Sequence, residues 1–305
     1  MAMMESPSSF FERDILPSYL FKIRSIKMKF AITILIVALT AITAFGQSAP
    51  TLRIVTDDPN LPSDLYYGDI KVKPLRLRPG TNQRITIDDN DFFIQQHYND
   101  FLSRMPEPAG FQGWMDVLTN CGSKYPQPCD RIEVSSDFFR SPEFQGRGYF
   151  IFRFYIASLG RNAFYKEFMP DLRRVSGFLD DTQLEAAKVA FISDFMSRPE
   201  FQQKYGSLSD SAFHDAVVQT AGVDPGIGFP NGTMTRAQFL RAVVESTAVY
   251  NKFYNTAFVV MQYFGYLRRD PDILYLEWIK TMDKTGDYRT MINGFVNSTE
   301  YRNRF

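Results

Sequence analysis

Histidine and cysteine carry much of the acid–base, nucleophilic and metal chemistry of proteins, and this 305-residue chain has two of each. Neither His97 nor His214 falls in a Ser-His-Asp, His-Glu-x-x-His, phosphate-loop or dinucleotide pattern. Both read as partly buried helix residues. Cys121 and Cys129 bracket Gly-Ser-Lys-Tyr-Pro-Gln-Pro. A pair this close, flanked by Gly and Pro, reads as a disulfide-closed loop in an oxidising compartment. Zinc would need two further ligands that the neighbourhood lacks. On the loop-entropy model such a closure contributes about 2–3 kcal/mol.

Carboxylates are the only abundant side chains of catalytic type. Two of them about 5–10 Å apart in a cleft would suit glycoside-type hydrolysis, so an extracytoplasmic hydrolase is the alternative functional reading. Glu107, Asp270 and Asp272 lie in turns and are the candidate calcium ligands, short of the oxygen count calcium takes. Asp88-Asp89-Asn90-Asp91 lacks the alternating spacing, glycine and closing Glu of an EF-hand loop. Asp91 is expected to cap the next helix, accepting from free backbone N–H groups. No residue is assigned a catalytic role, and no cofactor or resident metal is expected.

The elements that hold these residues repeat. Residues 93–104, 150–161 and 258–269 are aromatic-rich helix patterns that close on Leu-x-Arg. Ile94, Tyr98, Phe101 and Leu102 share one helical face, as do Ile151, Tyr155, Ser158 and Leu159, and Val259, Tyr263, Tyr266 and Leu267. Arg104, Arg161 and Arg269 follow, where a cation suits the carbonyl end of a helix. Pro106 and Pro271 bar continuation. Trp114 and Trp278 come next and should anchor the following helix, with Phe168 in the comparable region of the second copy.

A second string recurs after each. Ser141-Pro142-Glu143-Phe144, Arg198-Pro199-Glu200-Phe201 and Ser298-Thr299-Glu300-Tyr301 are helix starts, with Ser as cap or Pro at the first helical position. Ion pairs Arg104–Glu143, Arg161–Glu200 and Arg269–Glu300 are expected within the copies. Residues 212–250 form a degenerate copy, broken by the Gly/Pro loop at 222–232.

The expected fold is therefore all-α: about four tandem helical modules in one body, near residues 91–147, 149–206, 210–252 and 256–305. A Pro-rich segment at 47–90 precedes them. It holds strand-like runs such as 52–55, 70–73, 75–78 and 84–87, and is read as an extended spacer. Before it, residues 30–45 are uncharged and follow Lys22, Arg24, Lys27 and Lys29. This is the pattern of a secretory signal peptide cleaved before Gln47, in a chain whose residues 1–27 read as an upstream extension. Uncleaved, the run would be the chain's one membrane attachment. Removing residues 1–46 leaves 29 basic and 31 acidic residues, a balance that argues against a nucleic-acid partner.

The string Leu-x-Arg, Pro-acidic, Gly-x-x-x-Trp, then Phe-x-x-Ser-x-Glu-Phe resembles the bacterial domain-of-unknown-function family 4214. Residues 93–144 carry it best through Tyr98, Leu102, Arg104, Pro106, Glu107, Gly110, Trp114, Ser141, Glu143 and Phe144. Residues 150–201 and 258–301 carry it less fully, and 212–250 faintly. The second copy departs from it, with Asn162-Ala163-Phe164 where the Pro-acidic turn would stand and no Trp. The resemblance implies an all-α extracytoplasmic module similar in fold to phycobilisome linker domains, and implies no reaction. A non-catalytic interaction or scaffold role at the cell surface, with a protein or cell-envelope partner, is the expectation.

Overall fold

The computed structural model describes residues 83–305 throughout, and 52–55, 64–68, 70–72, 78, 80 and 81 ahead of them. The apolar run at 30–45 and the cleavage expected before Gln47 lie outside the described residues. Three short strands, β1 (Leu52–Val55), β2 (Asp64–Tyr67) and β3 (Ile70–Val72), form a sheet in that order. β2 and β3 pair antiparallel with Tyr66 opposite Lys71, across a turn in which Gly68 has φ +61°. β1 and β3 coincide with two of the strand-like runs, so this part of the segment folds into a small sheet instead of running on as a spacer. It is a unit of its own, distinct from the all-α body.

Helix starts in the body follow local chemistry. Ser141, Ser246 and Ser298 each accept from the backbone N–H three residues on, at 3.1, 3.3 and 3.1 Å, which satisfies a donor that has no partner inside the helix. The first helix, α1 (Asn90–Leu102), starts two residues earlier than an Asp91 cap would place it. Asp91 lies in its first turn and pairs with Arg78 at 2.7 Å. Asp89 holds the cap position, and its side chain accepts instead from the Thr86 N–H at 2.7 Å.

Helices α2 (Pro108–Thr119), α3 (Arg131–Arg140) and α4 (Pro142–Gly146) complete the first copy. Helix α5 (Gly148–Phe154) continues as a π-helical turn over Tyr155–Leu159, followed by α6 (Tyr165–Arg174), α7 (Asp181–Ser197) and α8 (Pro199–Tyr205). The degenerate copy holds α9 (Asp210–Ala221) and α10 (Arg236–Glu245). Helix α11 (Thr247–Gln262) runs into a second π turn at Tyr263–Leu267, then α12 (Tyr275–Thr285), α13 (Tyr288–Val296) and α14 (Thr299–Arg302).

The helix that carries the buried aromatic stripe of each copy, α1, α5 with its π turn, α9 and α11 with its π turn, ends in the same way. The residue after the face Leu, or after Ala221 in the degenerate copy, is left-handed: Ser103 at φ +51°, Gly160 at +78°, Gly222 at +59° and Arg268 at +52°. This reverses the chain so that the next residue turns back along the helix it left.

The core is one aromatic body and not a row of modules touching only their neighbours. Phe139 of the first copy packs on Phe258 of the last, ring centres 4.7 Å apart, and on Tyr254 at 5.4 Å. Tyr266 of the last copy meets Phe101 of the first at 5.7 Å. Periodicity identifies the buried face of each helix, but not the partner it is buried against. Each fully buried Phe contributes about 1.5–3 kcal/mol of transfer free energy, so these cross-contacts tie the ends of the body together.

Candidate functional site: three arginine clamps and the cleft at the first

The left-handed turn aims the next side chain at the start of a later helix. Arg104, just past Ser103, reaches Glu143 in the first turn of α4. Its Nε donates to Oε1 at 2.7 Å and its Nη2 to Oε2 at 2.6 Å, a fork-to-fork pair. Its Nη1 donates to the Met105 carbonyl at 2.9 Å and to Glu107. The guanidinium carbon lies 4.8 Å from the centre of the Tyr98 ring.

Arg161 repeats this with Glu200, Nε to Oε1 at 2.8 Å, and with the Asn162 carbonyl at 3.0 Å, 5.6 Å from the Tyr155 ring. Arg269 repeats it with Glu300 at 2.6 Å and the Asp270 carbonyl at 3.1 Å, 5.5 Å from the Tyr263 ring. For Arg161 the hydrogen bonds to Glu200 and then Glu167 raise the guanidinium pKa, and Glu200 is held below its ordinary value chiefly by the same bond. For Arg104 burial pulls the other way, and the bonds to Glu143 and Glu107 outweigh it.

Each clamp has a second carboxylate. Glu107 and Asp272 supply it from the turns, Asp272 at 3.2 Å from Arg269. The second copy, which lacks that acidic turn, uses Glu167 from the first turn of α6 at 2.9 Å. Its spacing from the arginine differs, so the repeat pattern hides it. The three turn acids considered as calcium ligands are engaged otherwise. Glu107 binds Arg104, Asp270 accepts from the Tyr165 N–H at 2.6 Å, and Asp272 binds Arg269 and the Tyr263 hydroxyl. Among the described residues, no group of three or more His, Cys, Asp or Glu is placed to hold a metal ion.

The remaining repeat residues sit in the core or at its edge. Phe144, Phe201 and Tyr301 are buried, and the Tyr301 hydroxyl has no partner among the described residues. Trp114 stacks on Phe138 at 5.4 Å, and Trp278 is half-buried against the core. The second copy's answer to Trp114 is not Phe168, which packs on Phe264, but buried Asp171, which accepts from the Tyr155 hydroxyl at 2.6 Å and pairs with Arg198. Cys121 and Cys129 form a disulfide in the loop between α2 and α3. His97 is fully buried, and His214 is half-buried with Asp215 2.9 Å away.

A second repeated cation escapes a reading built on Leu-x-Arg. Arg147, Lys204, Lys252 and Arg304 each stand three residues after Phe144, Phe201, Val249 and Tyr301. Lys204 donates to the Leu159 carbonyl at 3.3 Å, Lys252 to the Ala221 and Gly222 carbonyls at 2.8 and 2.7 Å, and Arg304 to those of Gly265 and Tyr266 at 2.9 and 2.7 Å. They cap the carbonyls that a helix end leaves open. The signal is a cation at a fixed offset, obscured by alternation of Lys and Arg.

The first copy breaks this rule. Arg147 turns instead to Glu143 at 3.1 Å and to the Gly177 carbonyl at 2.6 Å, in the loop between α6 and α7. Beside it opens a cleft of about 340 Å³, lined by Arg104, Glu107, Glu143, Arg147, Phe178 and Leu184 among others. Phe178 is 70% exposed and lies 5.0 Å from the Arg104 guanidinium. The cleft thus has an apolar wall and a floor of paired charges.

No known protein family, no curated protein and no solved structure matches this chain. Among the described residues no helix is long and apolar enough to cross a membrane.

Proposed function

We propose that the chain is a non-catalytic interaction module of the secreted or cell-surface class, and that it engages a protein or cell-envelope partner through the cleft beside Arg104. The observation that carries this reading is the diversion of Arg147. A cation that caps a helix end in the other copies is used in the first to hold the loop that presents Phe178. An aromatic side chain left 70% exposed over an arginine, at the rim of a cleft, is the kind of anchor interfaces use. The resemblance to family 4214 and the signal-like run at 30–45 favour an extracytoplasmic setting, and the Cys121–Cys129 disulfide is compatible with one.

A photo-cross-linking residue at position 178 tests the reading, with the same residue at exposed Val189 as control. A discrete adduct with an envelope component from position 178, absent from position 189 and weakened by Arg147→Met, is expected. Equal labelling at both positions, or none at 178, refutes it. The competing hydrolase reading draws on Glu107 and Glu143 lining one cleft. Both are engaged as acceptors by the Arg104 fork, whereas paired-carboxylate hydrolysis needs one carboxyl free to give a proton.

A further inference from the structure

Arg153 stands apart from every arginine described above. It lies on α5, only 6% exposed, its guanidinium carbon 4.6 Å from the Tyr149 ring and 5.3 Å from the Tyr250 ring. Among the described residues no carboxylate or carbonyl pairs with it. Its Nε is sealed from solvent without a partner, while its two terminal nitrogens retain contact with solvent. A guanidinium does not escape this cost by losing its proton at neutral pH, although burial lowers its pKa. The tyrosine rings supply cation–π attraction but accept nothing from the two terminal N–H pairs.

Lys188 on α7 stands close by, half-buried, its ammonium 4.6 Å from the Phe150 ring and 3.7 Å from Glu245. Burial lowers its pKa, and the charge of Arg153 lowers it further. The neighbouring charges leave one cation uncompensated. Glu245 is shared between Lys188 and Arg241, at 3.7 and 2.8 Å, and Glu185 is taken by Arg241. Arg153, Lys188 and Arg241 therefore face two carboxylates.

We propose that Arg153 and Lys188 form a binding site for one carboxylate group. The planar fork of terminal nitrogens on Arg153 matches the two oxygens of a carboxylate, and Lys188 adds a point charge beside it. A single negative charge neutralises the cluster, which favours a carboxylate over a phosphate dianion. The Tyr149 and Tyr250 rings flank the guanidinium and limit its movement, which lowers the ordering cost of binding. A free acid and an acidic side chain of a polypeptide share this chemistry. The site is separate from the Arg104 cleft and does not rest on its role.

The test is an NMR titration of the arginine Nε–H resonances of the whole chain, with the Arg153 signal assigned by its loss in Arg153→Lys. Acetate probes the free acid and a capped triglutamate peptide the side chain. Sodium chloride at equal ionic strength is the control, and inorganic phosphate tests the charge. Saturable movement of the Arg153 signal with acetate or the peptide, weakened about fivefold in Lys188→Met, is expected. If Arg153→Lys does not fold, through-space contacts with the Tyr149 and Tyr250 rings assign the Arg153 signal, and the comparison with Lys188→Met stands. No saturable movement, equal movement in chloride, or tighter binding of phosphate than of acetate overturns the proposal.

Discussion

His97 gives the sharpest quantitative test of the buried core. The perturbation is acidification, compared between the wild type and His97→Gln, which does not titrate. The ring lies between its own helix and the last copy, with Nδ1 2.9 Å from the Phe93 carbonyl and Nε2 3.2 Å from the Tyr266 hydroxyl. A carbonyl only accepts, so Nδ1 carries the proton and the Tyr266 hydroxyl donates to Nε2. Ser135 lies on the far side of that hydroxyl and can supply its second bond. Every partner suits the neutral ring. Burial is the main cause that lowers the His97 pKa from 6.5 to about 4, with Arg131 and Arg304 adding to it; the Phe93 bond and Asp100 oppose it. The folded pKa lies below the unfolded one, so this contribution is complete above 6.5 and is lost as pH falls toward 4. Over that interval the unfolded chain takes up a proton that the folded one refuses. At about 1.4 kcal/mol per unit, the contribution lost is on the order of 3 kcal/mol. Urea unfolding at stepped pH, read by tryptophan fluorescence, should show wild type losing that much more than His97→Gln between neutrality and pH 4. Carboxylate protonation affects both chains alike and cancels in the comparison. A gap between the two proteins that stays constant with pH, or a His97 imidazole signal, assigned by its loss in His97→Gln, that titrates near 6.5, would refute the account.

Two further outcomes follow from the repeated geometry. The arginine side chains of the three clamps are 10%, 27% and 38% exposed at Arg104, Arg161 and Arg269, with near-identical hydrogen bonding. Double-mutant cycles should therefore give coupling of about 2 kcal/mol for Arg104–Glu143, falling below about 1 kcal/mol for Arg269–Glu300, where solvent screens the pair; equal values would show that burial does not set the strength. Ser103→Gly should raise stability by about 1 kcal/mol in thermal unfolding, because it removes a left-handed serine and a buried hydroxyl without a partner, less the chain entropy of glycine; a lower melting temperature would contradict this.

Features that repeat at a fixed offset with a fixed residue type are legible in the sequence alone. Arg104 and Glu143 are separated as Arg161 and Glu200 are, so the spacing itself announces the pairing. Substitutions that keep a place but change its chemistry leave no such mark. Asp171 and Arg198 stand where the first copy has Trp114 and Ser141, replacing an aromatic contact and a cap with a half-buried ion pair. Glu167 replaces the acid of a Pro turn from a helix three residues farther on. The packing of the first copy on the last is also hidden, because a hydrophobic stripe specifies burial but not its partner. The Arg104 cleft depends on where one long side chain, Arg147, turns, and spacing does not encode that choice.

Taken across the copies, clamp and cap complement one another. The degenerate copy keeps the left-handed Gly222 and the capping Lys252 but has Val223 in the arginine place and Ala248 in the glutamate place. Both members of the pair are replaced together, as expected when loss of one alone would leave the other charge without a partner. The first copy shows the converse. It keeps the clamp at Arg104, whose Nη1 holds the Met105 carbonyl, and diverts the cation that would cap the helix end. A long-helix end is thus fixed by either device, and only the second and last copies have both. Redundancy of this kind frees one residue per copy without unfolding the turn. Arg147 is the residue so freed in the first copy, and the loop it holds carries Phe178 to the rim of the cleft.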